Sequence, residues 1–440
     1  MFGTGGIRGA VGETIGTKLA IRLGRALGTH AESVVVGRDV RDSGPMLEHA
    51  LLSGVTECGG SVIRVGVEST PTIARSVSWL DADFGVVITG SHNPAGDNGF
   101  KIRTHTGEVL GRDRYRSLVR RANAGTARSV PATGIGGSTC RSDLRERHHQ
   151  HLLDTFDSIA GPSVVVDLGN GAGRLTADVL ADLGCEVTTL NGHRDGSFPG
   201  RGSEPTAAAC RRLAHTVRAT GADLGIAHDA DADRLAAVDE TGRFVPGDEL
   251  FALFATEAAR RGRGIALTVD TSSLVAEAVS EVGGETVRTG VGEMAVATGL
   301  DSEGIGFGGE PSGLWIWDDE IRCPDAHFAA CKLVALIQRE GPLSAQLAPF
   351  TDRYTTHRAC LDASAKHDAI DRVRRRLGGD YDRIDTTDGI RIDTDDGWFL
   401  IRASGTEPVV RITADAADRE TADRLFGRAE RLVEATALSV

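Results

Sequence analysis

Val34-Val35-Val36-Gly37-Arg38-Asp39 is a short apolar run ending in an acid, and the chain repeats that plan twice. The counterparts are Val164-Val165-Val166-Asp167 and Ile265-Ala266-Leu267-Thr268-Val269-Asp270. Continuous β-branched runs followed by helix-compatible segments mark strands buried on both faces of a largely parallel sheet. The runs recur at intervals of roughly 100–130 residues, one domain length. Three successive α/β domains are therefore expected, repeated in topology but not residue by residue.

Helices fit between these strands. Residues 18–27 place Leu19, Leu23 and Leu27 on one helical face. A second helix should begin near Pro45 and turn Leu47, Ala50 and Leu51 inward. The polar stretch 123–139, rich in Gly, Ser and Thr, reads as a linker after the first domain. Past residue 350 the pattern changes: residues 398–401 and 409–413 read as two strands joined by a loop. A helix carrying Ala422, Leu425, Phe426, Ala429, Leu432 and Val433 follows, giving a smaller α+β unit. The expected domains are residues 1–140, 141–243, 244–350 and 351–440.

Composition narrows the functional classes. A net charge of −13 argues against a nucleic-acid partner, which would require a basic face. No run approaches the about 18 consecutive apolar residues of a membrane span, and the opening Gly/Thr/Arg-rich loop is unlike a signal peptide. The seven cysteines are scattered without a C-x-x-C pair, as expected of reduced thiols in a cytoplasmic protein. Only Lys18, Lys101, Lys332 and Lys366 are lysines, so the placement of Lys101 inside a motif stands out.

Four loops carry the chemistry. The first is Thr89-Gly90-Ser91-His92-Asn93-Pro94, followed by Asp97-Asn98-Gly99-Phe100-Lys101. A serine leaving a strand among small residues exposes its hydroxyl, loop amides can cradle a phosphate, and His92 or Lys101 can assist a proton. A serine-capped Asn-Pro turn fits the local sequence as well. The second is Asp229-Ala230-Asp231-Ala232-Asp233-Arg234, whose three carboxylates at alternate positions repel one another unless a hard cation such as Mg²⁺ bridges them. An EF-hand is excluded by Arg234 at the position that must be glycine and by strand-like flanks. The third, Gly309-Glu310-Pro311-Ser312-Gly313, offers a carboxylate and a hydroxyl suited to sugar hydroxyls, though a plain β-turn explains it too. The fourth, Arg402-Ala403-Ser404-Gly405-Thr406-Glu407-Pro408-Val409-Val410-Arg411, has the guanidinium forks, hydroxyls and glycine of a phosphate clamp. Together they supply a nucleophile, a cation site, a sugar binder and a phosphate clamp, the set required for phosphoryl transfer on a sugar.

In this order the motifs resemble the α-D-phosphohexomutase family over nearly the whole chain. Phe2-Gly3-Thr4-Gly5-Gly6-Ile7-Arg8-Gly9 resembles the family's N-terminal active-site loop, and Arg288-Thr289-Gly290-Val291-Gly292-Glu293 a loop between the metal and sugar loops. The resemblance implies three α/β domains with mixed sheets and a C-terminal α+β domain around a central cleft. It implies that Ser91 carries the phosphoryl group and that its phosphate completes a single Mg²⁺ site with Asp229, Asp231 and Asp233. Arg8, His92, Lys101 and Arg234 would serve the transfer. Thr4, Glu310, Ser312, Arg402, Ser404, Gly405, Thr406 and Arg411 would bind substrate. A hexose bisphosphate would act as intermediate and activator, in a monomer or homodimer that interconverts hexose or hexosamine 6- and 1-phosphates. The N-terminal loop and Asp97-Asn98-Gly99 resemble the glucosamine-specific branch, with mannose and glucose phosphates as alternatives. A non-catalytic phosphosugar sensor would need neither Ser91 nor the three aspartates.

Four positions depart from the family pattern. Gly90 replaces an alanine, which should loosen the serine loop. Ala230 and Ala232 replace glycines between the metal ligands, without loss of a ligand. Leu314 stands where many members carry a histidine after the sugar loop.

Overall fold

The computed structural model describes residues 2–3, 6–127, 129–158, 161–363, 366–377, 383–405 and 409–437, with backbone alone at 2–3 and 435–437. Thr4 and Thr406 therefore lie outside the described residues. The chain forms two compact units, one of residues 3–245 and 312–346, the other of 246–311 and 347–440.

In the first unit, strands Gly6–Ala10, Asp97–Thr104, Phe84–Ile88, Ser33–Arg38, Ser61–Val67 and Ser138–Cys140 lie side by side in that order. Ser33–Arg38 pairs in parallel with both neighbours, whereas Asp97–Thr104 is antiparallel to both of its own. Val34, Val35 and Val36 are fully buried, as expected of a strand covered on both faces. Helices Thr17–Gly28 and Gly44–Glu57 cover one face, and Leu23, Leu27, Leu47 and Leu51 join its core. Thr70–Trp79 packs on the other through Ile73 and Val77.

The second sheet runs Leu235–Asp239, Leu224–His228, Ser163–Asp167, Glu186–Leu190. The first pair is antiparallel and the others parallel. Leu224–His228 and Leu235–Asp239 thus form a hairpin whose tip is residues 229–234, and strands rather than helices flank the acidic loop.

One expectation is corrected. The polar segment 123–139 is more than a linker: Ser138–Cys140 pairs in parallel with Ser61–Val67 at the sheet edge. All three of its residues are exposed, so no apolar alternation marks the strand in the sequence.

In the second unit, Gly264–Thr268 lies between Thr286–Thr289 and Ile305–Glu310, all parallel. Residues 355–416 build an antiparallel sheet in the order Thr355–Asp362, Val409–Ala416, Gly397–Ala403, Ile390–Asp393, Ile384–Asp385. Helices Lys366–Leu377 and Arg419–Ala437 bury Val373, Leu425 and Ala429 against its Phe399, Ile401 and Ile412. This is the α+β unit read from the sequence. Among the described residues, no helix is long and apolar enough to cross a membrane.

Candidate active site

The serine loop leaves strand Phe84–Ile88 and is braced from below by a buried ion pair. Asp39 follows strand Ser33–Arg38, and its Oδ2 lies 3.0 Å from Arg41 Nε, both side chains fully buried. Thr89 Oγ1 donates to Asp39 Oδ2 at 2.6 Å and accepts from the Ser91 amide at 2.8 Å. The Arg41 guanidinium donates to the carbonyls of Ser91 at 2.7 Å and Asp97 at 2.9 Å, and also to those of Asn93 and Pro94. These bonds hold Ser91 at φ +50°, the left-handed region that a serine rarely occupies. Ser203 fastens the far side, its single hydroxyl proton shared between the carbonyls of His92 and Asn93, each 2.7 Å from Oγ.

In that conformation Ser91 Oγ donates to Asp229 Oδ2 at 2.8 Å. The hairpin tip brings one carboxylate oxygen from each of Asp229, Asp231 and Asp233 within 4.8 Å of the others, all three side chains buried. Asp231 Oδ1 is buried with no hydrogen-bond partner among the described residues. An orphaned carboxylate oxygen inside a three-carboxylate cluster fits a hard divalent cation, which takes oxygen ligands. Thr70 fixes the tip by donating its amide to the Asp231 carbonyl at 2.8 Å and its hydroxyl to Asp231 Oδ2 at 2.5 Å.

Cations surround the cluster. Lys101 Nζ lies 2.6 Å from Asp231 Oδ2 and also contacts Asp233. Burial lowers the Arg8 guanidinium while Asp231 and Asp233 raise it. Burial together with the charge on Arg234 and Arg8 holds His92 well below its ordinary value, as a neutral ring. Burial and the neighbouring Asp231 and Asp233 push Asp229 well above the carboxylate range. Burial raises Asp231 too, but Lys101 and the Thr70 hydroxyl outweigh it and leave that carboxyl far below. A chain segment just past the sugar loop also touches the tip. Leu314 bridges Arg234 in antiparallel fashion, and the Leu235 amide donates to the Gly313 carbonyl at 3.0 Å. Gly313 has φ +89°, and a Cβ there would lie 2.3 Å from the Leu235 carbonyl oxygen, so glycine is required.

The structure thus brings Ser91, His92, Lys101, Asp229, Asp231, Asp233, Arg234 and Arg8 together in one unit, which also contains Ser312. In the other unit Glu310 accepts from the Gly292 amide, and Asp388 accepts from the Val291 amide at 3.0 Å. Arg402 and Arg411 sit directly opposite one another on adjacent strands, and Cys360 faces Arg411 on the next. All three line a cavity of about 230 Å³ with Arg358 and Asp270. Ser404 is buried, its amide donating to the Val409 carbonyl at 2.9 Å, and Gly405 follows it. Asp39, read only as the acid ending a strand, and Arg41, Thr70, Ser203 and Arg358 were not named as site residues from the sequence. The charged run Arg38-Asp39-Val40-Arg41 after an apolar strand was the available signal for the first two.

Known proteins match along the entire chain. Models of phosphoglucomutase/phosphomannomutase alpha/beta/alpha domains I, II and III match residues 1–129, 146–242 and 246–354, and that of the C-terminal domain matches 358–432. The "Probable phosphoglucosamine mutase" of Methanopyrus kandleri is 42% identical over 435 residues, covering 96% of this chain and 95% of that protein. Its namesake from Methanococcoides burtonii is 39% identical over 437 residues, 99% of each. The crystal structure of a phosphoglucomutase/phosphomannomutase family protein from Burkholderia thailandensis superposes with a TM-score of 0.88 at 29% identity, covering 100% of this chain and 98% of that one. A serine pressed against a buried triad of aspartates, on a chain matched over most of its length by four consecutive domain models, leads to one assignment. The chain belongs to the phosphoglucomutase/phosphomannomutase family of α-D-phosphohexomutases.

Proposed function

We propose that this enzyme interconverts glucosamine 6-phosphate and glucosamine 1-phosphate through a phosphorylated Ser91 and a hexosamine bisphosphate. The contact between Ser91 Oγ and Asp229 at 2.8 Å is the observation that carries the mechanism, and full-length identity of about 40% to proteins named for glucosamine supports the sugar. Asp229, Asp231 and Asp233, with an oxygen of the Ser91 phosphate, would hold one Mg²⁺ per chain. Bound there, the ion would neutralise charge on the transferring phosphoryl group.

In the forward step the Ser91 Oγ–P bond breaks as a sugar hydroxyl oxygen bonds to phosphorus. The hydroxyl proton leaves to a neighbouring group, with His92 next to Ser91 in the loop and Lys101 against Asp231 and Asp233 the basic side chains proposed for it. Arg8, Lys101 and Arg234 stabilise the spread negative charge, the dominant contribution in such transfers. The bisphosphate then turns around and returns its other phosphoryl group to Ser91, restoring the starting enzyme. Arg402, Ser404, Gly405, Thr406 and Arg411 grip the phosphate that is not reacting, while Thr4, Glu310 and Ser312 bind the rest of the substrate. A hexose bisphosphate added from outside primes an unphosphorylated enzyme, and the protein works in the cytoplasm as a monomer or homodimer.

Rates on glucosamine 6-phosphate, mannose 1-phosphate and glucose 1-phosphate, each with a bisphosphate activator, test this reading. The glucosamine ester should give the highest kcat/KM. A higher value on mannose or glucose reassigns the sugar, and binding without turnover on all three points to a sensor.

A further inference from the structure

Behind the metal loop runs a buried chain of three histidines and three hydroxyls that phosphoryl transfer does not use. It starts at the Arg234 carbonyl, 3.1 Å from His228 Nδ1. His228 Nε2 lies 2.8 Å from Thr176 Oγ1, which lies 2.7 Å from His327 Nδ1. His327 Nε2 is 2.9 Å from Ser69 Oγ, and Ser69 Oγ is 2.8 Å from Thr72 Oγ1. Thr72 Oγ1 is 2.9 Å from His148 Nδ1, and His148 Nε2 ends the chain 3.1 Å from Asp325 Oδ2. No member is more than 1% exposed.

Both ends only accept. The carbonyl of Arg234 has no proton to give. Burial favours a protonated Asp325, but His148 and Arg75 overcome it and hold the carboxyl well below the usual range. Arg75 Nε and Nη2 donate to the same Oδ2 at 3.1 and 3.0 Å. Seven links therefore join two acceptor ends through six members. A neutral imidazole contributes one proton and a hydroxyl contributes one, so the neutral chain supplies six protons for seven hydrogen bonds. One link would then set two lone pairs against each other among side chains that are buried, a costly arrangement.

We propose that the chain holds one proton beyond its neutral complement, carried as an imidazolium on His148, and that this proton positions the metal loop. His148 is its seat because that ring alone touches Asp325. The groups facing it from the packed elements are Arg75 and Thr72 on helix Thr70–Trp79, His151 on its own helix, and Asp325 and His327 at the start of Ala326–Glu340. Glu320 pairs with Arg75 and His151, both at 2.9 Å, so Arg75 and His148 balance Asp325 and Glu320. Burial outweighs the pull of Asp325 and leaves His148 below its ordinary value; the hydrogen-bond count, which requires a seventh proton, is the ground for placing the charge there against that direction. With the proton on His148, every bond has one direction: Thr72 donates to Ser69, Ser69 to His327, His327 to Thr176, and Thr176 to His228. His228 Nδ1–H then holds the Arg234 carbonyl, and the bonded Ser69 fixes the chain directly before Thr70, which holds Asp231. The link to metal binding rests on the reading of Asp229, Asp231 and Asp233 given above; the proton count does not.

Ring ¹⁵N spectra of the full-length protein labelled at histidine, at pH 7.5, test the count, with His148→Gln and His327→Gln used for assignment. His148 should carry protons on both nitrogens, and His228 and His327 on Nδ1 alone. In Thr176→Val, an isosteric cut, five links remain for five members and no extra proton is required. His148 should then keep only its Nε2 proton and the His327 proton should move to Nε2. A singly protonated His148 in the unaltered protein overturns the proposal, as does a doubly protonated His148 that survives the cut. Thr176→Val also leaves His228, whose ring holds the Arg234 carbonyl, anchored at one nitrogen instead of two. Mg²⁺ affinity, read by calorimetry, should therefore fall about tenfold, in the range typical of lost outer-shell support. Unchanged affinity beside the altered spectrum would overturn the positioning role. Neither spectrum depends on which phosphosugar the enzyme accepts, so failure of the functional reading would remain separate.

Discussion

Replacing Arg41 by lysine keeps the charge and removes the fork, which makes it a direct test of how the serine loop is held. Arg41 serves Asp39 and the carbonyls of Ser91, Asn93, Pro94 and Asp97, five acceptors at the end of one side chain. A lysine ammonium has three protons, so at least two of these acceptors lose their partner. At about 1–1.5 kcal/mol for each lost bond, with somewhat more for acceptors left buried, the loop conformation should be destabilised by about 2–4 kcal/mol. The bound conformation already includes Ser91 at φ +50°, which costs about 1–3 kcal/mol and has to be held in place. If that energy is lost from the reactive conformation, kcat/KM should fall by about 30- to 1000-fold, since about 1.4 kcal/mol is a factor of ten. The fold should persist, because the Asp39 charge keeps a cationic neighbour and the apolar core around it is unaltered. The assay is steady-state turnover with intact-mass measurement of the phosphorylated fraction and circular dichroism on the same sample. Activity within threefold of the unaltered enzyme would refute the brace. So would an equal fall in activity and in helical signal, which would make Arg41 a general stability residue.

Ser91→Ala should lose the single phosphoryl mass found on a fraction of the purified enzyme; retention of that mass would move the carrier elsewhere. Asp231→Asn should abolish Mg²⁺-dependent turnover and leave the circular dichroism spectrum unchanged, because Lys101 keeps Asp233 as a partner; undiminished Mg²⁺-dependent rates would remove the acidic loop from the mechanism. Arg411→Ala should raise KM for phosphosugars more than it alters metal dependence, and the opposite pattern would remove the clamp. Native labelling with a thiol reagent at pH 8 should modify Cys140 and Cys360, the exposed thiols, and spare Cys185 and Cys210, which burial pushes up to about 11. Phosphosugar should slow the reaction of Cys360 because it lines the cavity with Arg402 and Arg411; no protection would place the clamped phosphate elsewhere.

Much of the fold was legible because its determinants are local. Val34–Val36 and Val164–Val166 are buried on both faces, and three leucines at helical spacing are enough to orient residues 18–27. Ser138–Cys140 was not legible, since an edge strand exposed at every residue joins the sheet through its backbone alone and leaves no side-chain pattern. The candidate site divides the same way. Ser91, the three aspartates, Arg402 and Arg411 belong to short contiguous motifs whose residue types point to the chemistry proposed for them. Asp39, Arg41 and the histidine chain are defined by partners 50 to 258 residues away. Nothing in a linear reading distinguishes His148, which is buried, from His149 beside it.

The departures at Gly90 and Leu314 show what the folded context adds to a motif. Glycine for alanine before the serine was expected to loosen the loop. In the structure the space of the absent methyl is taken by Arg41: a Cβ on residue 90 would lie 2.6 Å from Cζ and 2.7 Å from Nε. Glycine therefore admits the guanidinium that ties together four loop carbonyls, and flexibility at one residue is exchanged for restraint across the loop. Leu314, where the family resemblance led to the expectation of a histidine, is buried, and its backbone bridges Arg234. Its contribution is to hold the tip of the acidic hairpin rather than to move protons. In the mechanism proposed above, proton transfer falls instead to groups nearer Ser91, where His92 is kept neutral by burial and by Arg234 and Arg8, and Lys101 is already bonded to Asp231 and Asp233.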